Sequence, residues 1–122
     1  MFVRRCWEPR SEEEIYSLIE ANPWALLVNN GERGSFATNL PLLCDRSRGG
    51  KGVLVGQLAR ANALDDSIQS LTTPALAIFQ GPYTYITSSW YPDRDMPPTL
   101  YYSAVQYHGG LHIQNEKKCI AR

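Results

Sequence analysis

The segment WALLVNNGERGSFATNLPL (24–42) constrains the fold more than any other part of the chain. Its apolar first part predicts a buried strand, and Asn30-Gly31 is a strong signal for a hairpin turn. On the return strand, Phe36, Thr38 and Leu40 alternate with other residues, so these three side chains share one face. The segment therefore predicts two antiparallel strands.

Two short helices are predicted from capping signals and apolar spacing. In SEEEIYSLIEANP (11–23), Ser11 can act as the N-cap, Glu14 occupies the capping-box position and Pro23 closes the helix. In ARANALDDSIQSL (59–71), Asn62 is a candidate N-cap ahead of apolar residues at helical spacing. Both helices are expected as insertions in a chain that is otherwise rich in strands.

Four further stretches are rich in β-forming residues: GVLVG (52–56), ALAIFQ (75–80), YTYIT (83–87) and LYYSAVQYH (100–108). Gly81-Pro82 is predicted to turn the chain between the second and third of these stretches. Three prolines exclude regular structure in YPDRDMPP (91–98). About six strands with two helices predict a mainly β protein of the α+β class, built as a small antiparallel barrel.

Composition is that of one globular domain, which is expected to span residues 1–122. The 12 acidic and 12 basic residues balance, so bulk charge gives no case for nucleic acid or an anionic membrane as a partner. The three cysteines are scattered, odd in number and without a C-x-x-C pair. Zinc is therefore not expected. This cysteine pattern, without a signal peptide or a run of membrane-spanning length, predicts a cytoplasmic protein.

Two stretches carry the residue types of a binding site. GQLARAN (56–62) follows a strand and opens a helix, so Arg60 and free helix N–H groups could hold a phosphate; the alternative is a solvated arginine. FQGPYTYITSSWYPD (79–93) gathers flat rings and hydrogen-bonding groups. It predicts either the wall of a pocket for a flat ligand or an aromatic hairpin that packs its own core.

A metal site is not expected at His108 and His112. The H-x-x-x-H spacing binds metal when it lies on a helix, and Gly109-Gly110 makes a helix improbable between these histidines.

These stretches, in this order, resemble one known family, the PaiB-type FMN-binding negative transcriptional regulators. The resemblance covers about residues 1 to 113 and rests on MFVRRCWEP, NPWALLV, FATNLPLL, GVLVGQLARAN, ALAIFQGPYTYITSSWYPD and PPTLYYSAVQYHG. It implies the six-stranded split β-barrel shared with flavoproteins of the pyridoxamine-phosphate-oxidase type. It also implies FMN as the cofactor and a homodimer with FMN at the subunit seam.

By position in the family's motifs, the resemblance assigns nine residues to the flavin site. Thr38 and Asn39 fall on the strand that lines the flavin, and Arg60 and Asn62 fall on the segment that reaches the phosphate. The hairpin and loop that would close the site carry the other five: Gln80, Ser88, Ser89, Trp90 and Tyr91. No catalytic residue is assigned.

The chain departs from the family's pattern in several places. Gln57 and Ala63 stand where the family usually has His and Pro, and Leu100 and Tyr101 stand where it has Trp and Asn. Residues 114–122 are divergent, and family members continue further. A natural short form, a truncated gene product and a partial sequence are all open explanations.

Three functions are open at this point. A flavin-binding regulatory protein is favoured over a defined enzyme. The alternatives are a flavin-dependent oxidoreductase of a small molecule and a degenerate fragment that no longer binds FMN. The resemblance implies transcriptional control, but the charge pattern provides no basic face for direct DNA binding.

Overall fold

A computed structural model of the chain describes residues 1–31, 34–59 and 73–112. The first regular element after a 3-10 turn at Arg5–Trp7 is helix α1, Glu12–Ala21. The strands are β1 (Trp24–Gly31), β2 (Gly34–Asp45), β3 (Val53–Gly56), β4 (Thr73–Ile86) and β5 (Thr99–Leu111). The predicted second helix (59–71) lies almost entirely outside the described residues.

Helix α1 begins as the capping signal predicts. The Ser11 hydroxyl accepts a hydrogen bond from the backbone N–H of Glu14, at 3.4 Å. The Glu14 carboxylate accepts from the backbone N–H of Arg10, at 2.9 Å, and thus one residue earlier than an ideal capping box requires. The helix ends at Asn22, whose N–H reaches the Leu18 and Ile19 carbonyls just before Pro23.

All neighbouring strands are antiparallel, in the order β3-β2-β1-β4-β5. The hairpin predicted at Asn30-Gly31 is confirmed, because β1 and β2 stay in register as far as the pair Gly31 and Gly34. The described residues therefore contain five strands in one antiparallel sheet. This count is one lower than predicted.

The predicted turn at Gly81-Pro82 is wrong. Strand β4 runs through this dipeptide, and its pairing with β5 moves from Gln80–Ala104 to Tyr83–Tyr102. Three steps along β4 thus match two along β5, which makes the site a β-bulge. Glycine fits here because a Cβ at Gly81 would collide with the hydroxyl of Ser103 on the neighbouring strand.

One face of the sheet, called the inner face below, packs with α1 to form the core. Its buried apolar residues are Ile19 from α1, Ala25 and Leu27 from β1, Leu40 and Leu42 from β2, and Ala77 and Phe79 from β4. The predicted shared face of Phe36, Thr38 and Leu40 is confirmed by the burial alternation of β2. Phe79 is 0% exposed, so the centre of the inner face is filled by protein.

The two ends of the sheet approach each other without pairing. The Tyr107 hydroxyl on β5 lies 2.8 Å from the Lys51 carbonyl oxygen and 2.7 Å from that of Gly52, just before β3. The Tyr16 hydroxyl of α1 donates to the same Lys51 carbonyl, at 3.1 Å. Burial raises the pKa of Tyr107, which favours the protonated hydroxyl that donates to the Lys51 and Gly52 carbonyls. The described sheet is barrel-like but not closed.

Candidate functional site

The bulge in β4 determines which side chains reach the outer face, the face of the sheet opposite the core. Before the bulge, Ala77 and Phe79 point inward and Gln80 is exposed on the outer face. Because the bulge adds one residue, the alternation reverses after it, and Tyr83 and Tyr85 also lie on the outer face. Tyr83 is 77% exposed.

The structure separates Thr38 and Asn39, which the resemblance assigned together to the flavin. Thr38 is half-buried on the inner face, between residues that contribute to the core. Asn39 is exposed on the outer face, where it pairs with Leu26 on the neighbouring strand β1. Two neighbouring residues of a strand point to opposite faces, so one ligand cannot lie against both side chains.

Asn39 and Gln80 share the outer face. Asn39 pairs with Leu26, and Leu26 pairs on its other side with Ile78, two residues before Gln80. With ordinary strand spacing, the Cα atoms of Asn39 and Gln80 are roughly 12 Å apart. Two exposed side-chain amides thus lie on either side of the central strand. Each offers both donors and an acceptor.

The four residues assigned after β4 lie in one turn. A 3-10 helix, Ser88–Trp90, is capped by the Thr87 hydroxyl, which accepts from the Ser89 N–H at 3.4 Å. The Tyr91 N–H donates to the Ser88 carbonyl at 3.1 Å. Trp90 is exposed, whereas Ser88 and Tyr91 are half-buried.

This turn is far from the two amides within one chain. Ile86 closes β4 six residues after Gln80, which corresponds to roughly 20 Å along a strand. The structure therefore brings together Asn39 and Gln80 as one group and Ser88 to Tyr91 as another. Arg60 and Asn62 lie outside the described residues, so their assignment to the phosphate stays a prediction.

Sequence reasoning missed an exposed apolar cluster on the outer face after the bulge. Cross-strand pairing sets Tyr83 against Tyr102 and Tyr85 against Leu100, and all four side chains are exposed. Their alternation in YTY and LYY was a visible signal. The sequence predicts either a pocket wall or an aromatic hairpin that packs its own core for this stretch. Tyr83 and Tyr85 are exposed and do not pack the core.

One arginine of the loop after β2 connects this loop to helix α1. Arg46 forms a bidentate ion pair with Glu13, at 2.7 and 3.0 Å, and its guanidinium lies 4.2 Å from the centre of the Tyr16 ring. The hydrogen bond and the charge of Arg46 lower the pKa of Glu13. The pair attaches this loop to α1, so Arg46 is occupied by a structural contact.

The described residues provide no other obvious centre for chemistry. Within them, no group of three or more His, Cys, Asp or Glu side chains is placed to hold a metal ion. His108 lies on β5, paired with Leu76. No helix in the described part of the chain is long and apolar enough to cross a membrane.

Two comparisons with known proteins bear on this site. The model of the family described as "Putative FMN-binding domain" matches residues 1–122. The "Protease synthase and sporulation protein PAI 2" of Bacillus subtilis (strain 168) is 29% identical over 109 residues, which are 89% of this chain and 51% of that protein. The chain thus spans about half the length of the curated relative that it matches.

Proposed function

This chain belongs to the PaiB-type FMN-binding family, and we propose that it is a flavin-binding regulatory protein that holds FMN against the outer face of its sheet. The observation that carries the placement is the contrast between the two faces. Phe79 and its neighbours fill the inner face, whereas Asn39 and Gln80 are exposed on the outer face. Among the described residues, the packed inner face thus supports a site on the outer face.

The described outer face fits the chemistry of the flavin ring. A flavin has a polar ring edge that needs donors and acceptors, and flat faces that need apolar or aromatic walls. Asn39 and Gln80 would bind the polar edge, and exposed rings on the same face would provide a wall. When bound, FMN supplies redox chemistry, which the protein tunes through hydrogen bonding and exclusion of water.

The phosphate of FMN is proposed to bind near Arg60, at the start of the predicted second helix. A guanidinium and free N–H groups at a helix start are a common phosphate-binding combination. Thr38 is not expected to contact the flavin through its side chain, because that side chain faces the core.

A homodimer of split barrels would explain why the assigned residues form two separate groups. The turn that contains Ser88 and Trp90 is too far along β4 to contact a flavin between Asn39 and Gln80 of the same chain. The same turn of a second copy could cover that flavin at a subunit seam. The proposed assembly is therefore a dimer in which each site uses both chains.

Titration of the apo-protein with FMN tests the proposal. We expect saturable quenching of flavin fluorescence at micromolar protein, together with a higher melting temperature, because a ligand that binds the native state stabilises it. Unquenched fluorescence with an unchanged melting temperature at large FMN excess would contradict the proposal and favour the degenerate fragment.

Comparing FMN with riboflavin tests the phosphate contact separately. Riboflavin lacks the phosphate, so Arg60→Ala should weaken FMN binding about ten-fold or more and leave riboflavin binding unchanged. The exposed loop residue Arg48 provides the control, and Arg48→Ala should change neither affinity. Equal losses for FMN and riboflavin in Arg60→Ala would show that Arg60 acts on the fold or on the ring.

Mixing the FMN-loaded protein with NADH or NADPH in a stopped-flow instrument distinguishes a regulator from an oxidoreductase. A regulatory protein should leave the flavin absorbance unchanged on the timescale of enzymatic turnover. Rapid bleaching of the flavin would instead support a flavin-dependent oxidoreductase of a small molecule.

A further inference from the structure

An exposed tryptophan stands on the outer face at the start of the central strand. Trp24 begins β1, which has two strands on each side, and its side chain is 65% exposed. Tryptophan is usually well buried in a central strand, because its large ring gains much from removal from water. The exposure of Trp24 is therefore an unusual use of this residue type.

The register places one of the two amides diagonally next to Trp24. Trp24 pairs with Pro41 on β2, and Leu26, the next residue on the same face of β1, pairs with Asn39. Diagonal neighbours of this kind have side chains about 7–8 Å apart, within reach of an indole ring.

The second amide lies on the other side of β1. Leu26 pairs with Ile78 on β4, and the strands are antiparallel. Continuing this register by two residues brings Gln80 opposite Trp24. Trp24 therefore stands between Asn39 and Gln80, the two exposed amides that the proposed function assigns to the flavin's polar edge.

Apolar residues lie next to Trp24 on the β2 side of the outer face, beginning with its exposed direct partner Pro41. Leu43 on β2 pairs with Val55 on β3, and both side chains are exposed on the outer face. An exposed indole with apolar neighbours on one side and amides on two others matches a flat heteroaromatic ring that has a polar edge and an apolar remainder.

We propose that Trp24 is a flavin-contacting residue whose indole packs against the ring system of FMN. The inference rests on the proposed function, in which FMN binds the outer face. It adds a contact that the family's motifs did not assign, and it makes Trp24 the main apolar wall of the site.

The test compares FMN affinities of Trp24→Ala and Trp7→Ala by flavin fluorescence. Trp7 is the matched control, because it is 61% exposed and its ring contacts Tyr101 away from the two amides. Loss of an aromatic stacking partner should raise the Kd for FMN about ten-fold in Trp24→Ala, whereas Trp7→Ala should bind as the wild type does.

Trp24→Phe guards against a folding defect, since it keeps a ring at this position. It should raise the Kd less than Trp24→Ala does and melt within a few degrees of the wild type. The indole N–H resonance of Trp24 provides a second readout, assigned in NMR spectra by its loss in Trp24→Phe. It should shift on addition of FMN more than that of Trp7.

The outcomes separate the inference from the proposed function. If the wild type binds FMN but Trp24→Ala has the same Kd, the inference is overturned and the proposed function stays intact. The same holds if the Trp24 indole resonance does not shift when FMN is added. A loss of self-association in Trp24→Ala, without any change in the Kd, would likewise overturn it in favour of a subunit contact. Failure of the wild type to bind FMN would overturn both.

Discussion

Phe79 and Tyr83 lie four positions apart on the same strand, yet one is 0% exposed on the inner face and the other 77% exposed on the outer face. Without the bulge, both would point inward, because Ala75, Ala77 and Phe79 before it do. The extra residue at Gly81-Pro82 keeps the end of β4 from adding aromatic rings to the core. It also concentrates rings on the face where ligand binding is proposed.

The largest expected difference between the two faces is the loss of unfolding free energy when an aromatic ring is removed from each. Phe79→Ala removes a fully buried ring and should lower the free energy of unfolding by about 3–5 kcal/mol. Tyr83→Ala removes an exposed ring and should cost about 1 kcal/mol or less. Urea unfolding of both variants measures the difference, and equal losses would show that the outer rings are packed in solution.

A second comparison is between two glycines, Gly56 where β3 approaches β2 closely and Gly109 on β5. A Cβ at Gly56 would lie 2.8 Å from the Pro41 carbonyl oxygen and 2.6 Å from Leu42 Cδ2, so Gly56→Ala should cost about 1–3 kcal/mol. A Cβ at Gly109 on β5 meets nothing within 4 Å, and Gly109→Ala should change stability by less than about 1 kcal/mol. Equal thermal shifts for the two variants would contradict this packing.

The bulge itself can be tested by a double-mutant cycle. Gly81→Ala should destabilise the protein by about 1–2 kcal/mol through the clash with the Ser103 hydroxyl. Ser103→Ala removes that hydroxyl and with it a hydrogen bond to the Pro82 carbonyl, at 3.3 Å. The double variant should therefore lose about 1 kcal/mol less than the sum of the single losses. Strictly additive stability losses would show that a Cβ at position 81 does not contact the Ser103 hydroxyl.

The smallest expected effect is the pH dependence of the Glu13–Arg46 pair. Because Arg46 lowers the pKa of Glu13 below its ordinary value of 4.5, the pair stabilises the fold above that pH. This contribution should disappear as the pH falls through the lowered pKa. The pair is exposed, so the effect is modest and screened by salt.

Thermal melts of the wild type and Glu13→Gln measure this effect. Their difference in melting temperature should be constant above about pH 5 and shrink in more acidic buffer. Glu12→Gln removes a charge from the same helical turn but leaves the Glu13–Arg46 ion pair in place, so it is the charge-matched control. A gap between wild type and Glu13→Gln that widens in acid would contradict the assigned sign.

Most of the fold could be predicted from the sequence because its signals are local. Ser11 marks the helix start, Asn30-Gly31 marks the hairpin, and alternation in β2 identifies the inner face. Gly81-Pro82 could not be resolved in the same way. The dipeptide suits a turn and a bulge equally well, and only the pairing of β4 with β5 over a long distance decides between them.

The candidate site was predictable in part. The shared face of Phe36 and Thr38 already implied that Asn39 points the other way, so the separation of Thr38 from Asn39 followed from strand geometry. The position of Trp24 between two amides did not, because it depends on the register among three strands. Sequence motifs give the order of residues along the chain but not which residues pair between strands.

The central claim is that FMN lies on the outer face of the sheet, and FMN titration of Asn39→Ala and Thr38→Val tests it most directly. The two residues are adjacent in sequence and differ in the face they occupy. The account predicts a Kd about two- to ten-fold higher in Asn39→Ala, from a lost hydrogen bond, and a wild-type Kd in Thr38→Val. Weaker binding in Thr38→Val with wild-type binding in Asn39→Ala would place the flavin on the inner face and contradict the account.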